Sequence, residues 1–442
     1  MIRFILSDLR RLWAGSLVVV LLVALATALG VCVVLQERAL RLGSARAADK
    51  FDLVIGAGGS ETQLVLSSVF LQPSPLPLMP GEVLGKIAAD PRVDWAAPIG
   101  FGDSFSGYPI VGTTATLANK LSGGFAEGKV FAREGDAVIG SAVRLSLGDE
   151  IKPMHGSAEE GGETHTELVY HVAGRLRPTG TAWDRAILVP IQAVWHIHGM
   201  EAHEHTEEGA GHEHAAASGT DPAEHGHEHE EAGDHHDGHE NPDGHEHYGE
   251  ADPDAALNEN WTADTPGLPA ILVKPKTIAD AYKLRQDYRS GNTVAVFPGE
   301  VLTNLYAALG NAKQILVAVA AGAQTLVAAS LVLVTVIHIG QRRRQIGALR
   351  AFGAPRGAIF GIVWLEFFFL VAVGIGLGFA FGYAAALTLS GMFSETSGIA
   401  MPVGFAGEDA GLAAALLAFA AILAALPAVL AYRQSPAQAL RA

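Results

Sequence analysis

Four long runs without a charged side chain constrain this chain more than any other feature: Leu12 to Gln36, Gln314 to Gln341, Phe367 to Ser394 and Ala410 to Tyr432. Each exceeds the roughly 20 apolar residues that cross a bilayer core. Backbone polar groups in lipid must be satisfied within their own segment, so these runs are predicted to be helices. The cations orient them. Arg3, Arg10 and Arg11 precede the first run, Arg342, Arg343, Arg344, Arg350 and Arg356 separate the second from the third, and Arg433 and Arg441 follow the fourth. The connection between the third and fourth runs carries Glu395, Glu408 and Asp409 and no Lys or Arg. By the positive-inside rule both termini are cytoplasmic.

The expectation is a membrane α+β protein with four transmembrane helices, over 12–36, 314–341, 362–394 and 410–432. One large extracytoplasmic mixed α/β domain, 37–310, lies between helices 1 and 2. Residues 1–11 alternate Ile2, Phe4, Ile5 and Leu9 with Arg3, Asp8, Arg10 and Arg11, as in a helix lying on the inner surface. A cytoplasmic connection over 342–356 and a tail over 433–442 complete the order. The first run is far longer than the apolar core of a cleaved signal peptide. Leu29-Gly30-Val31-Cys32 fits a lipoprotein signal only loosely, so Cys32 is read as an apolar residue near the outer end of a span.

Gly374, Gly378 and Gly382 stand four apart in the third run, as do Ala24 and Ala28, and Ala26 and Gly30, in the first. Small residues at that spacing let helices approach closely in lipid, in a bundle or a dimer. Glu366 and His338 are ionisable residues within or beside spans. In the external domain, short β-rich runs are predicted at Asp52–Ile55, Tyr108–Gly112, Ala137–Gly140, Leu168–Ala173, Ala186–Val189 and Ala270–Val273. Helical patterns fall at Gly81–Ala89 and Thr277–Arg289. Glu37–Lys50 and Phe297–Lys313 read as stalks that extend the first two spans outward.

Net charge separates one segment from the rest. The chain carries −16, yet 196–254 holds 18 Asp and Glu and no Lys or Arg, so the remainder stands at −16 + 18 = +2. That segment also holds 14 of the 18 histidines. The chain is therefore not a uniformly acidic protein, and it lacks the basic face a nucleic-acid binder needs. A single cysteine excludes a disulfide framework and a Cys-based zinc module.

Arg342-Arg343-Arg344-Gln345-Ile346-Gly347-Ala348-Leu349-Arg350-Ala351-Phe352-Gly353-Ala354-Pro355 carries more than a positive-inside anchor needs. It resembles the cytoplasmic loop of FtsX/MacB-type ABC transporter permeases, R-x-R-E-I-G-x-L-R-A-x-G-A, with Gln345 in place of the usual Glu. Ser435-Pro436-Ala437-Gln438-Ala439-Leu440-Arg441 is similar to that family's closing P-x-x-A-L-R. Ala137 to Asp149 and Pro178 to Pro190 are similar to patterns of its periplasmic core. The resemblance implies that Arg342, Arg343, Arg344, Ile346, Gly347, Leu349, Arg350 and Gly353 dock on a separate cytoplasmic ATPase subunit. It also implies a homodimer or paired permease in the bacterial inner membrane, with a periplasmic binding or adaptor protein as a further partner. The sequence holds no G-x-x-x-x-G-K-[ST] and no catalytic constellation, so no enzyme site and no covalently bound cofactor are expected on this chain.

The family pattern does not account for the His-rich segment. His196/His198, His203/His205, His212/His214, His225/His227/His229 and His245/His247 alternate with one intervening residue, and His235, His236 and His239 cluster. Neutral imidazoles interleaved with carboxylates suit zinc or another divalent metal. So few apolar residues cannot pack a core, so 196–254 is expected to be a disordered insert. Three functions compete: a permease tied to zinc uptake or homeostasis, an export or lipoprotein-extraction permease with an incidental insert, and a membrane-anchored metal sensor.

Overall fold

A computed structural model describes residues 13–72, 74–155, 168–200, 252–310 and 353–433, with scattered residues between 314 and 332. In chain order the elements are helix α1 (Trp13–Ala48), strand β1 (Leu53–Ala57), α2 (Glu61–Ser68), α3 (Glu82–Ala88), β2 (Val93–Ile99), β3 (Asp103–Phe105) and β4 (Tyr108–Thr113). Next come α4 (Ala115–Leu121), β5 (Phe125–Gly128), β6 (Asp136–Ile139), β7 (Glu150–Ile151), β8 (Met154–His155) and β9 (Tyr170–Leu176). A 3-10 turn (Ala182–Arg185), β10 (Ile187–Pro190), α5 (Ile191–Ile197), β11 (Ala270–Pro275), α6 (Ile278–Asp287), β12 (Thr293–Val296) and α7 (Pro298–Ala308) complete the head domain. The helices α8 (Arg356–Ser397) and α9 (Gly407–Arg433) follow.

The head contains two sheets. One has the order β12-β1-β11-β2 and is antiparallel throughout. The other runs β5-β9-β6-β10-β4-β3-β8, with β7 on β9, and mixes parallel pairs (β10 with β4, β6 with β9) with antiparallel ones. β1 is a central strand whose two faces are both covered, which explains its unbroken apolar run. Val54 faces a core shared with Ala48, Phe51 and Trp183. Leu53 and Ile55 face a second core with Leu84, Ile87 and Leu284 from α3 and α6. Helix starts are set by side-chain caps. Ser60, Thr114 and Thr277 accept from the backbone N–H groups of Gln63, Leu117 and Asp280.

All six expected strands are present within a residue or two at most ends, as are the two expected helices. The remaining strands were not expected, among them β12, although its Thr293-Val294-Ala295-Val296 is β-rich. β2 contains Pro98, which is tolerated because β2 is an edge strand with β11 as its one partner in the sheet. β7 and β8 have two residues each.

Three helices among the described residues are long and apolar enough to cross a membrane: Trp13–Ala48, Arg356–Ser397 and Gly407–Leu430. Of the expected span over 314–341, the described residues, all within 314–332, are helical. One of them, Gln324, donates Nε2–H to the Ala26 carbonyl of α1 at 2.9 Å. The rest of that span, the surface helix over 1–11, most of the 342–356 connection and the tail lie outside the described residues.

α1 runs unbroken from the first span through the expected stalk to Ala48. One boundary changes. α8 exceeds the expected 362–394 at both ends, starting after Pro355 and ending at Gly398, whose φ of 74° permits the left-handed cap. The small-residue stripe is a contact within the chain. A Cβ on Gly374 would meet Val23 Cβ at 2.7 Å, one on Gly378 would meet the Ala24 carbonyl at 2.8 Å, and one on Gly382 the Ala28 carbonyl at 2.8 Å. So α8 lies directly on the backbone of α1, at the alanines marked by their spacing. α9 closes the bundle through Ala420 and Ala424, which pack with Val19, Val23, Phe367 and Val371.

Candidate functional site

Two places in the fold bring functional side chains together. The first is the junction of the head with the helices. The end of α1 enters the head, where Ala47 and Ala48 join the core around Trp183. The Ser44 hydroxyl and the Tyr306 hydroxyl of α7 stand 2.6 Å apart, tying the two stalks together. The connection between α8 and α9 presses on the same region. Ile399 is buried in the head core, and the Ala400 N–H donates to the Gly180 carbonyl at 3.1 Å. Arg185 donates to the Glu395 carbonyl at 2.7 Å. The acceptor turn is held by Asp184, whose carboxylate accepts from the Thr179 N–H at 2.7 Å, the Thr179 hydroxyl at 2.9 Å and the Gly180 N–H at 2.7 Å. The Thr-Gly and Asp of the 178–190 pattern therefore build the surface on which this connection sits.

Of that connection's three acids, Asp409 forms a two-pronged pair with Arg38 of α1, at 2.7 and 3.1 Å. At the opposite end of the bundle, the Arg356 guanidinium stands 6.0 Å from the ring centre of Tyr432. Of the expected ATPase-docking residues, Gly353 is described, in a turn at φ 93°. Arg342, Arg343, Arg344, Ile346, Gly347, Leu349 and Arg350 lie outside the described residues. Glu366 is half-buried beside Phe367 on α8, and His338 lies outside the described residues.

The second place lies at the root of the His-rich segment. Residues 196–200 and 252–254, expected as parts of a disordered insert, are folded here. His196 lies on α5 and His198 caps it. The Gly135 N–H donates to the Pro253 carbonyl at 2.9 Å, and Arg133 pairs with Asp254. The composition of 196–254 hid this, because the apolar Ile191, Val194, Trp195 and Ile197 pull the first histidines into the head core. His203, His205, His212, His214, His225, His227, His229, His235, His236, His239, His245 and His247 lie outside the described residues.

The pair His196 and His198 does not form a joint site. Two residues apart on a helix is about 200° of rotation, so the rings leave on opposite sides. His196 Nδ1 meets the buried Glu134 carboxylate at 2.7 Å. His198 turns to Asp103, with Nε2 3.6 Å from Oδ1. His155 of β8 approaches the same Oδ1 with Nδ1 at 3.5 Å. One ligand atom each from Asp103, His155 and His198 lie within 4.8 Å of one another, the geometry of residues able to hold a metal ion. Asp103 and His155 were not singled out in the sequence. They lie on β3 and β8, which pair in register Asp103 with His155, a contact with no local sequence signal. Tyr170 is wholly buried nearby. Burial first, then the charges of Asp103 and Glu134, push its phenol well above the ordinary range, so it stays neutral.

Comparison with known proteins bears on the first of these places. Residues 317–437 match the family described as FtsX-like permease C-terminal. Among solved structures, the periplasmic region of MacB from Actinobacillus actinomycetemcomitans is similar at 8% identity and a TM-score of 0.30, over 58% of this chain and 95% of that one. Comparison with curated proteins gives no match. Just over a quarter of this membrane protein, the part that holds α8 and α9, is thus similar to the C-terminal domain of FtsX-like permeases.

Proposed function

We propose that this chain is the membrane-spanning subunit of an ABC transporter of the FtsX/MacB type, working as a pair with a separate cytoplasmic ATPase. The observation that carries this is the match over 317–437, which includes the whole Arg342–Pro355 loop. In this account ATP binding closes the ATPase subunits, and the loop passes their movement to α8. Because α8 lies on α1 through its glycine stripe, and α1 continues without a break into the head core, the movement reaches the head as a lever. The head lies outside the cytoplasm, and both termini lie inside.

The His-rich segment ties this system to zinc. Its imidazoles and carboxylates bind the ion outside the membrane, and the moving head passes it, or a carrier of it, to a periplasmic binding or adaptor protein. Two experiments test the two levels separately. Replacing Arg344 and Arg350 with Glu abolishes co-purification of the ATPase; retained association would overturn the coupling assignment. Deleting 201–251 lowers cell zinc and growth in low zinc; unchanged growth and zinc content would leave a permease with an incidental insert.

A further inference from the structure

We infer that Asp103, His155 and His198 form a divalent-cation site of the class zinc fills, in the folded head and separate from the His-rich segment. The inference depends on the head alone and goes beyond the permease reading. Zinc bonds of 2.0–2.2 Å in tetrahedral geometry place neighbouring ligand atoms about 3.3–3.6 Å apart. Asp103 Oδ1 stands 3.5 Å from His155 Nδ1 and 3.6 Å from His198 Nε2. Those separations fit two edges of a coordination tetrahedron. The third pair of ligand atoms lies within 4.8 Å.

The remaining nitrogen of His198 supports the same assignment. Its Nδ1 is 2.8 Å from the Val194 carbonyl. A carbonyl only accepts, so Nδ1 carries a proton, which leaves Nε2, the nitrogen facing Asp103, as the one available to a metal. A ligating histidine is held in this way, its second N–H on a backbone carbonyl fixing the tautomer and ring orientation. Gly102 keeps the space open. Its φ is +154°, and a Cβ there would stand 3.1 Å from His198 Nε2. The electrostatics favour a cation, because the Asp103 carboxylate is only 2% exposed. His155 is 60% exposed, so the site opens to solvent on one side. Three protein ligands with an open position make an exchangeable site rather than a closed structural one. The ion would join β3, the edge strand β8 and the end of α5, at the point where the chain leaves the head for the His-rich segment.

The test uses the full chain in detergent, with the twelve histidines from His203 to His247 replaced by Asn, titrated near neutral pH with Zn2+ by calorimetry and with Co2+ by visible absorption. The expected result is one Zn2+ per chain and the absorption bands of low-coordinate Co2+. His155→Ala and His198→Gln should each weaken binding at least about tenfold. His155 is mostly exposed, so His155→Ala keeps the fold, checked by its metal-free unfolding curve. Failure of the Asn-replaced chain to bind zinc, or equal binding by His155→Ala, overturns the site. Either failure leaves the permease reading standing, since that is judged by ATPase association.

Discussion

Arg38 and Asp409 are 371 positions apart in the chain, and their side chains meet end to end, Nη1 to Oδ2 at 2.7 Å and Nη2 to Oδ1 at 3.1 Å. Both are largely shielded, at 13% and 8% exposed. Asp409 also accepts from the Ala406 N–H at 2.7 Å, so one carboxylate caps α9 and clamps it to α1. Removing one partner of a shielded pair leaves the other charge without compensation, at a cost of roughly 3–5 kcal/mol. Arg38→Ala should therefore lower the unfolding free energy in detergent by that amount and lower the midpoint with it, and Arg38→Lys, which keeps charge but loses the fork, should lower both by less. Equal midpoints for Arg38→Ala and wild type would remove the clamp from the account.

The glycine stripe gives a prediction with an internal control. Gly378 sits against Thr27 and the Ala24 carbonyl, whereas nothing lies within 4 Å of a Cβ on Gly376, on the same helix two residues away. Gly378→Leu should split α8 from α1 and abolish recovery of monodisperse protein. Gly376→Leu should leave recovery near the wild-type level. Size-exclusion profiles of the two variants decide it, and equal profiles would mean that α1 and α8 do not meet along this stripe.

Asp184 supports the surface that receives the connection between α8 and α9. Asp184→Ala leaves the Thr179 and Gly180 N–H groups without their acceptor, at roughly 1–3 kcal/mol for each donor left buried. Loosening should spread to residues 399–401 through the Gly180 carbonyl. Hydrogen exchange should show faster exchange at Ala400 in this variant; unchanged protection there would disconnect the turn from the connection.

Acid stability should report Asp90. The Arg92 guanidinium donates to both of its oxygens, at 3.0 and 2.7 Å, and holds its carboxyl below the usual carboxylate range. Arg92 also bridges to Asp287 at 2.9 Å, which ties the start of β2 to the end of α6. A folded-state value below the unfolded one, about 3.9, means that the stabilisation is complete above that pH and is lost as pH falls through the folded value. Asp90→Asn should cost about 1.5–3 kcal/mol at neutral pH and flatten the fall in stability below about pH 4. Denaturant titrations across that range check both, and an unaltered slope would contradict the assignment.

Three of the spans and the central strands were legible: the spans because a helix facing lipid is apolar all round, and strands such as Leu53-Val54-Ile55 because both faces are covered. β3 and β8 were not, because they have three and two residues and take their pairing from the rest of the sheet. The candidate site shows the same division. His198 was visible as one half of a His-x-His pair, but helix rotation separates it from His196, and its true neighbours, Asp103 and His155, come from distant strands brought together by pairing. The expected insert began too early because histidine spacing says nothing about the apolar residues between and before them, and here those residues fold.

The central claim is that nucleotide-driven movement in the cytoplasm reaches the head through α1 and α8. Ile278, 80% exposed on α6, provides a site for a spin label once Cys32 is replaced by Ala. In the homodimer reading, pulsed EPR would then measure the Ile278→Cys to Ile278→Cys distance between the two protomers of the complex with its ATPase, with and without trapped ATP. The account predicts a shifted distance distribution on ATP trapping, and loss of that shift when Gly378→Leu separates the helices. An unchanged distribution in a complex that hydrolyses ATP would contradict it.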